Sequence, residues 1–134
     1  MRDTLLNVMS YQSNDIVLDL RQSEQEREQS IPRFIGVILR QAIRDSYERV
    51  ELSLVESLPE ATFHISCSVK GRKYDMSPPP RHLFEPVVVA LCNYASVPYY
   101  AKGSVEGKIE TVNPASSWLL QSEDLRKHVV LSKT

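Results

Sequence analysis

The chain contains 134 residues, of which 42% are hydrophobic and 25% are charged, and its formal net charge is −1. A chain of this size is expected to form one domain whose core needs neither a metal nor a disulfide to hold it together. With a net charge so close to zero, the chain has no strong positive field to attract nucleic acids or anionic membranes, so we expect no nucleic-acid partner.

The amino-terminal part of the chain has little hydrophobic periodicity. Residues 1–15 contain no apolar run long enough for a secretory signal. The stretch Arg21–Ser30 contains no apolar residue at all, which is typical of a solvated linker or a frayed helix. We therefore predict an amino-terminal segment with a polar linker at residues 1–30 and a single α+β domain at residues 31–134.

Hydrophobic periodicity predicts two helices and five or six strands in that domain. In two stretches, apolar residues recur three and four positions apart, the pattern of a helix with one buried face. The first follows Ser30, a good helix cap, and should end near Tyr47; the second follows three consecutive prolines and is ended by Pro98. Alternating apolar and polar residues, interrupted by turns at glycine, mark the strands. The predicted helices are 31–47 and 84–95, the predicted strands are 50–54, 63–69, 73–76, 108–112, 117–121 and 127–131, and the predicted turn glycines include Gly71, Gly103 and Gly107.

This order of elements predicts an α+β fold. The short strands would form one mostly antiparallel sheet that carries both main helices on one face. The connections are too short for parallel crossovers, except across the two helices.

Two further features bear on the compartment. The longest uncharged apolar run, Val87–Cys92, is far shorter than the about 20 residues that cross a bilayer. Cys67 and Cys92 lack the spacing of a metal site and fall within predicted core elements, as expected for free thiols in a reducing compartment. We therefore expect a cytoplasmic protein without membrane insertion.

Several segments between Pro32 and Ser132 occur in the order found in a known family. FIGVILRQAI, at residues 34–43, resembles the family helix V-N-x-I-L-x-x-A-I, and RKHVVLS, at residues 126–132, resembles the strand G-E-K-V-V-L-R. In order and spacing the chain is similar to the domain that precedes the ATPase core in type II secretion and type IV pilus assembly ATPases. That domain is often described as PAS-like, so the resemblance implies a single PAS-like sandwich.

The departures from the family pattern fall on charged positions. The family strand R-x-R-x-D-G corresponds here to residues 66–71, where Ser66 and Ser68 replace both arginines and Gly71 is retained. Serine cannot offer a phosphate the charged fork that arginine provides. With Thr134 reached before any ATPase core, the resemblance implies a degenerate, stand-alone copy without a nucleotide-facing role.

No motif for catalysis or for a cofactor is found in the sequence. The four glycines have the spacing of neither a P-loop nor a dinucleotide-binding turn. The three histidines lie far apart, which favours exposed polar positions over a metal site. Cys67 lies on the same face of its predicted strand as Phe63, Ile65 and Val69, which favours a buried thiol over a nucleophile. We therefore expect no enzyme activity, no cofactor and no metal.

Two groups of residues are candidates for an interaction surface. Lys70, Arg72 and Lys73 form a basic turn that suits an acidic partner or a phosphate, although a solvated hairpin tip is the more common role of such a turn. Tyr99 and Tyr100 follow the second predicted helix, and tyrosine is enriched at interfaces. Packing at the edge of the core is the simpler interpretation of the two tyrosines.

The leading hypothesis is therefore a non-catalytic protein-interaction or regulatory module. Its partner would be a secretion or pilus ATPase, another component of such a machine, or a second copy of itself. One alternative is a PAS-like sensor, which would hold a small ligand in a closed apolar cavity between sheet and helices. Another alternative, an enzyme of unrecognised type, is supported by no identifiable set of residues.

Overall fold

The computed structural model describes residues 17–25, 27, 30–56 and 59–134. Within them lie seven strands, three α-helices and one short 3₁₀ turn. The helices are α1 (Leu20–Glu24), α2 (Ile31–Arg44) and α3 (Phe84–Ala95), with the 3₁₀ turn at Arg81–Leu83. The strands are β1 (Val17–Asp19), β2 (Arg49–Val55), β3 (Thr62–Val69), β4 (Arg72–Asp75), β5 (Val105–Val112), β6 (Ser116–Asp124) and β7 (His128–Lys133).

The strands form one mixed sheet in the order β1-β5-β6-β7-β2-β3-β4. Strand β1 runs parallel to β5, and every other neighbouring pair is antiparallel. Two hairpin-connected runs, β2-β3-β4 and β5-β6-β7, are joined side by side where β7 pairs with β2. The predicted α+β class is confirmed, whereas the predicted number of five or six strands is wrong because β1 adds a seventh.

The core lies between one face of the sheet and the helices. Alternation along the strands sends Leu52 to this face, opposite Ile65 on β3 and Val129 on β7. Buried residues of α2 and α3 belong to the same cluster as these strand residues. The largest fully buried side chains are Trp118, Phe63, Leu20, Leu39, Leu52, Leu91, Ile109, Leu120 and Leu131.

Helix α2 begins at the predicted residue and ends earlier than predicted. The Ser30 hydroxyl accepts a hydrogen bond from Arg33 N–H at 3.1 Å, which caps the first turn. The helix ends at Arg44, three residues before Tyr47. Ser46 has φ of 59°, a left-handed conformation that cannot continue a right-handed helix.

Helix α3 spans the predicted residues. Pro86 lies in its first turn, where a missing N–H removes no helical hydrogen bond. The helix ends because Ser96 adopts φ of 58°, and Val97 N–H then donates to the carbonyl of Cys92 at 2.9 Å.

Residues 17–24, predicted to lie in a segment outside the domain, pack on its core. Leu18 and Leu20 are buried, and Asp19 caps α1 by accepting a hydrogen bond from Arg21 N–H at 3.0 Å. The prediction that Arg21–Ser30 buries nothing is wrong, because Ser23 is buried beneath α2. Residues 1–16 lie outside the described residues.

Gly107 lies inside strand β5 and not in the predicted turn. A Cβ atom at this position would come within 2.6 Å of both the Ala95 carbonyl oxygen and Val97 Cγ2. Glycine is therefore required here because the end of α3 approaches the β5 backbone closely.

Candidate interaction surface

Strand β4 forms one edge of the sheet, and no strand among the described residues pairs with its outer side. Met76 N–H donates to the Ile65 carbonyl at 2.9 Å, and along an antiparallel pair every second residue exchanges such bonds with the neighbouring strand. By this alternation the main-chain N–H and C=O groups of Tyr74 form hydrogen bonds with β3. The N–H and C=O groups of Lys73 and Asp75 therefore point away from β3, where they are available to an added strand.

All four residues of β4 are exposed. Lys73 lies opposite Ser68 on the open polar face of the sheet, and Asp75 lies on the same face. Tyr74 lies opposite Cys67 on the face that carries the helices, where its side chain is 43% exposed. The β4 edge therefore carries a cation and an anion on one face and a half-exposed aromatic ring on the other.

The predicted basic turn is a tight two-residue hairpin. Lys70 and Gly71 have φ of 52° and 80°, the two positive values that a type I′ turn requires. The Lys70 N–H also donates to Glu48 Oε1 at 3.4 Å. This turn places Lys70, Arg72 and Lys73 as exposed residues at one end of the β4 edge, with Lys73 on the open face of the sheet and Arg72 on the face that carries the helices.

Tyr99 and Tyr100 form a different patch. Tyr99 is half-buried, and its hydroxyl donates to Glu85 Oε2 at 3.3 Å; burial and the Glu85 carboxylate both raise its pKa. Tyr100 is 83% exposed. Together they line a depression of about 400 Å³ that is completed by the β6–β7 turn, including Leu125 and Arg126.

The strand register separates the two patches that the sequence singled out. Near the β3–β4 hairpin, Arg49 lies opposite Ser68. Near the β6–β7 turn, Ser53 lies opposite His128. Four residues of a strand span about 13 Å, so the basic hairpin and the tyrosine patch lie at opposite ends of the strands and do not form one surface.

The open face of the sheet contains a hydrogen-bonded pair of side chains that the sequence did not reveal. His128 Nε2 lies 2.5 Å from Glu51 Oε2. Burial alone would raise the pKa of the Glu51 carboxyl, but the hydrogen bond from His128 and the charges of Arg49 and Lys73 outweigh it and hold this pKa below its ordinary 4.5. Alternation placed Glu51 on a polar face, but the β2–β7 pairing that brings His128 to it is a long-range contact.

An adjoining depression of about 520 Å³ links this face to the β4 edge. Its lining includes Arg49, Ser68, Lys73 and Ser132. These side chains follow one cross-strand row, because Arg49 lies opposite both Ser68 and Ser132, and Ser68 lies opposite Lys73. The two hydroxyls and two cations of this row give this end of the sheet a polar, hydrogen-bonding surface.

The side chains with potential for catalysis are the two cysteines and the possible metal ligands. Cys67 and Cys92 are free and buried, and burial raises the pKa of each thiol to about 11. Both are therefore neutral near pH 7 and poor nucleophiles. Within the residues that the structure describes, no group of three or more His, Cys, Asp and Glu side chains is placed to hold a metal ion.

No family model and no curated protein matches this chain. None of the helices in the described part of the chain has the length and apolar character needed to cross a lipid bilayer.

Proposed function

We propose that this protein is a non-catalytic protein-interaction module that binds its partner at the β4 edge. The observation that carries the proposal is the open outer side of β4, where main-chain donors and acceptors lie beside three exposed cations at the hairpin. An extended peptide can add to such an edge as a further strand, and the neighbouring side chains then select its sequence. Lys70, Arg72 and Lys73 favour a partner segment with acidic side chains.

We further propose that the module is a degenerate PAS-like relative of the domain preceding the ATPase core in secretion and pilus motors, and that it acts in the cytoplasm. Support comes from the order of elements. Residues 34–43, which resemble the first family helix, fall on α2, and residues 126–132, which resemble the last family strand, overlap β7. The predicted partner is a motor ATPase or another component of such a machine.

The proposal is tested by affinity capture from cells that express the protein naturally, followed by quantitative mass spectrometry. Wild-type bait is compared with the triple variant Lys70→Glu, Arg72→Glu and Lys73→Glu. A matched control reverses three exposed cations outside both patches and changes the net charge equally, at Arg21, Lys108 and Lys127. We expect a secretion or pilus component that is captured by the wild type and the control but lost with the hairpin variant.

Two results would count against this function. Repeated capture experiments that recover no secretion or pilus component would remove the proposed partner. Equal capture by the hairpin variant and the wild type would remove the β4 edge as the binding surface.

A second candidate is a small-ligand sensor, favoured by an apolar depression of about 550 Å³. Its lining includes Ile31, Phe34, Val37 and Leu83, and its volume lies within the range of ligand sites. This depression lies beside α2 and the 3₁₀ turn, whereas the sensor hypothesis required a closed cavity between sheet and helices. Native mass spectrometry should detect a bound molecule that Val37→Glu, at an exposed position, releases; absence of any bound mass would contradict this candidate.

A further inference from the structure

We propose that two copies of this chain pair through their β4 strands, antiparallel and about a two-fold axis, with Lys73 opposite Asp75 of the partner subunit. The inference rests on the proposed role of β4 as a docking edge and names one occupant of that edge. Three independent features of the strand select this arrangement: the direction of its main-chain groups, the symmetry of a two-fold pair and the order of its charges.

The first feature is the direction of the main-chain groups. Only Lys73 and Asp75 of β4 point their N–H and C=O groups outward, as the hydrogen bond from Met76 to Ile65 establishes. In an antiparallel pair, two residues that face each other in this way exchange two hydrogen bonds. The pairing of Lys73 with the partner's Asp75, and the symmetry-related pairing of Asp75 with the partner's Lys73, therefore satisfy every outward N–H and C=O group of both strands.

The second feature is symmetry. A two-fold axis between antiparallel edge strands is perpendicular to the sheet, so residues that lie opposite each other must point to the same face. Registers centred on a residue meet this condition, and the two central choices are Lys73 and Tyr74. A register centred on Lys73 places two lysines directly opposite each other, which is unfavourable.

The third feature is the order of charges, which the register centred on Tyr74 uses. Lys73 then lies opposite the partner's Asp75, and Asp75 lies opposite the partner's Lys73, on the open face of both sheets. Opposite charges at directly facing positions stabilise antiparallel pairs. The sequence Lys-Tyr-Asp is thus self-complementary about its central residue.

The central residue adds an aromatic contact. In this register Tyr74 lies opposite the partner's Tyr74 in a pair that exchanges no hydrogen bonds, where facing side chains are closest. The Tyr74 ring is 43% exposed and its centroid lies 5.8 Å from that of Tyr47, which limits its freedom. Pairing would cover this exposed ring on each copy.

Because β4 has four residues, the interface belongs to the small class that buries less than about 1,200 Å². The dimer is therefore expected to dissociate on dilution. Its formation would occupy the edge that the proposed partner uses, so partner binding and self-pairing compete.

Cross-linking tests the register directly. Facing residues that exchange no hydrogen bonds have Cα atoms about 4.5 Å apart, within reach of a disulfide. Tyr74→Cys, in a Cys67→Ala background that removes the facing thiol of the same chain, should oxidise to a covalent dimer. Arg72→Cys is the matched control, since the two copies of residue 72 would be separated by four residues, about 13 Å. Equal cross-linking of both variants, or of neither, would overturn the register.

Charge exchange tests the same pair by sedimentation at increasing concentration. Lys73→Glu and Asp75→Lys should each weaken self-association by about tenfold, because each places like charges opposite each other. A mixture of the two single variants should form a heterodimer, since the glutamate introduced at position 73 of one chain then faces the lysine introduced at position 75 of the other, and the unchanged Asp75 faces the unchanged Lys73. The double variant, which exchanges the two charges within one chain, should also recover pairing. A wild type that stays monomeric across the concentration range would refute the dimer.

The outcomes separate this inference from the proposed function. A monomeric protein that still captures its partner through the hairpin would leave the function intact and remove the dimer. A dimer with the expected cross-link that captures no machine component would do the opposite.

Discussion

Replacing Gly107 by alanine tests how closely β5 approaches the end of α3. Removing a glycine from a strand would by itself stabilise the fold by about 0.5–1 kcal/mol, because alanine has less freedom to lose on folding. Here the new methyl group would lie 2.6 Å from the Ala95 carbonyl oxygen, a backbone atom that cannot rotate away. Overpacking of this kind costs about 1–3 kcal/mol. The net expectation is a loss of about 1–2 kcal/mol.

For 134 residues, unfolding entropy of about 2.1 cal/mol/K per residue converts each kcal/mol into about 4 °C of melting temperature. Gly107→Ala should therefore lower Tm by about 4–8 °C in a thermal melt followed by circular dichroism. Glu106→Ala, at the exposed neighbouring position, is the control and should change stability by less than about 0.5 kcal/mol. In a Val97→Ala background the cost of Gly107→Ala should be smaller than in the wild type but should not vanish, because the Ala95 carbonyl remains. A rise in Tm for Gly107→Ala would refute the close approach.

Two further predictions concern polar groups. Glu51→Gln should lower the free energy of unfolding at pH 7, and its difference from the parent should shrink below pH 4.5. Because the pKa of Glu51 is lowered in the folded protein, its carboxylate stabilises the fold at any pH above the ordinary pKa of 4.5. This stabilisation is lost as the pH falls through the lower pKa of the folded state. Urea titrations at pH 7 and pH 3 measure this, and an equal difference at both would contradict it. Ser116→Ala should cost about 1–3 kcal/mol in the same assay, since it removes the acceptor of the buried Trp118 N–H at 2.9 Å. Ser117→Ala is its control, and a cost equal to that of Ser116→Ala would contradict the assignment.

Much of the local structure could be predicted from the sequence, because periodicity reports which side of an element is buried. Helix α3 and strand β3 lie where the pattern placed them. Strand β1 could not be predicted because three residues are too few to show alternation, and its parallel partner β5 is distant in the chain. The turn predicted at Gly107 is wrong because sequence alone does not distinguish a glycine needed for a turn from one needed for close packing.

The candidate site was predictable only in part. The basic turn is evident from its residues, and Lys70, Arg72 and Lys73 are all exposed at the β3–β4 hairpin. That the turn belongs to an edge strand depends on the order of strands in the sheet, which is set by contacts between distant segments. The same reason explains why Tyr99 and Tyr100, the other residues of the predicted interaction surface, lie at the other end of the strands.

The pairing of β7 with β2 has a consequence for how the protein is made. Strand β7, which completes the centre of the sheet, is synthesised after the other strands that the structure describes, although its partner β2 is synthesised early. Until β7 arrives, β2 presents an open edge lined by apolar residues such as Val50 and Leu52. Such unpaired edges are prone to aggregate, and long-range pairing of this kind folds slowly. The nascent chain therefore passes through a stage in which β2 and β6 both present open edges, and these edges close when β7 pairs with them, whereas the edge at β4 persists in the folded protein.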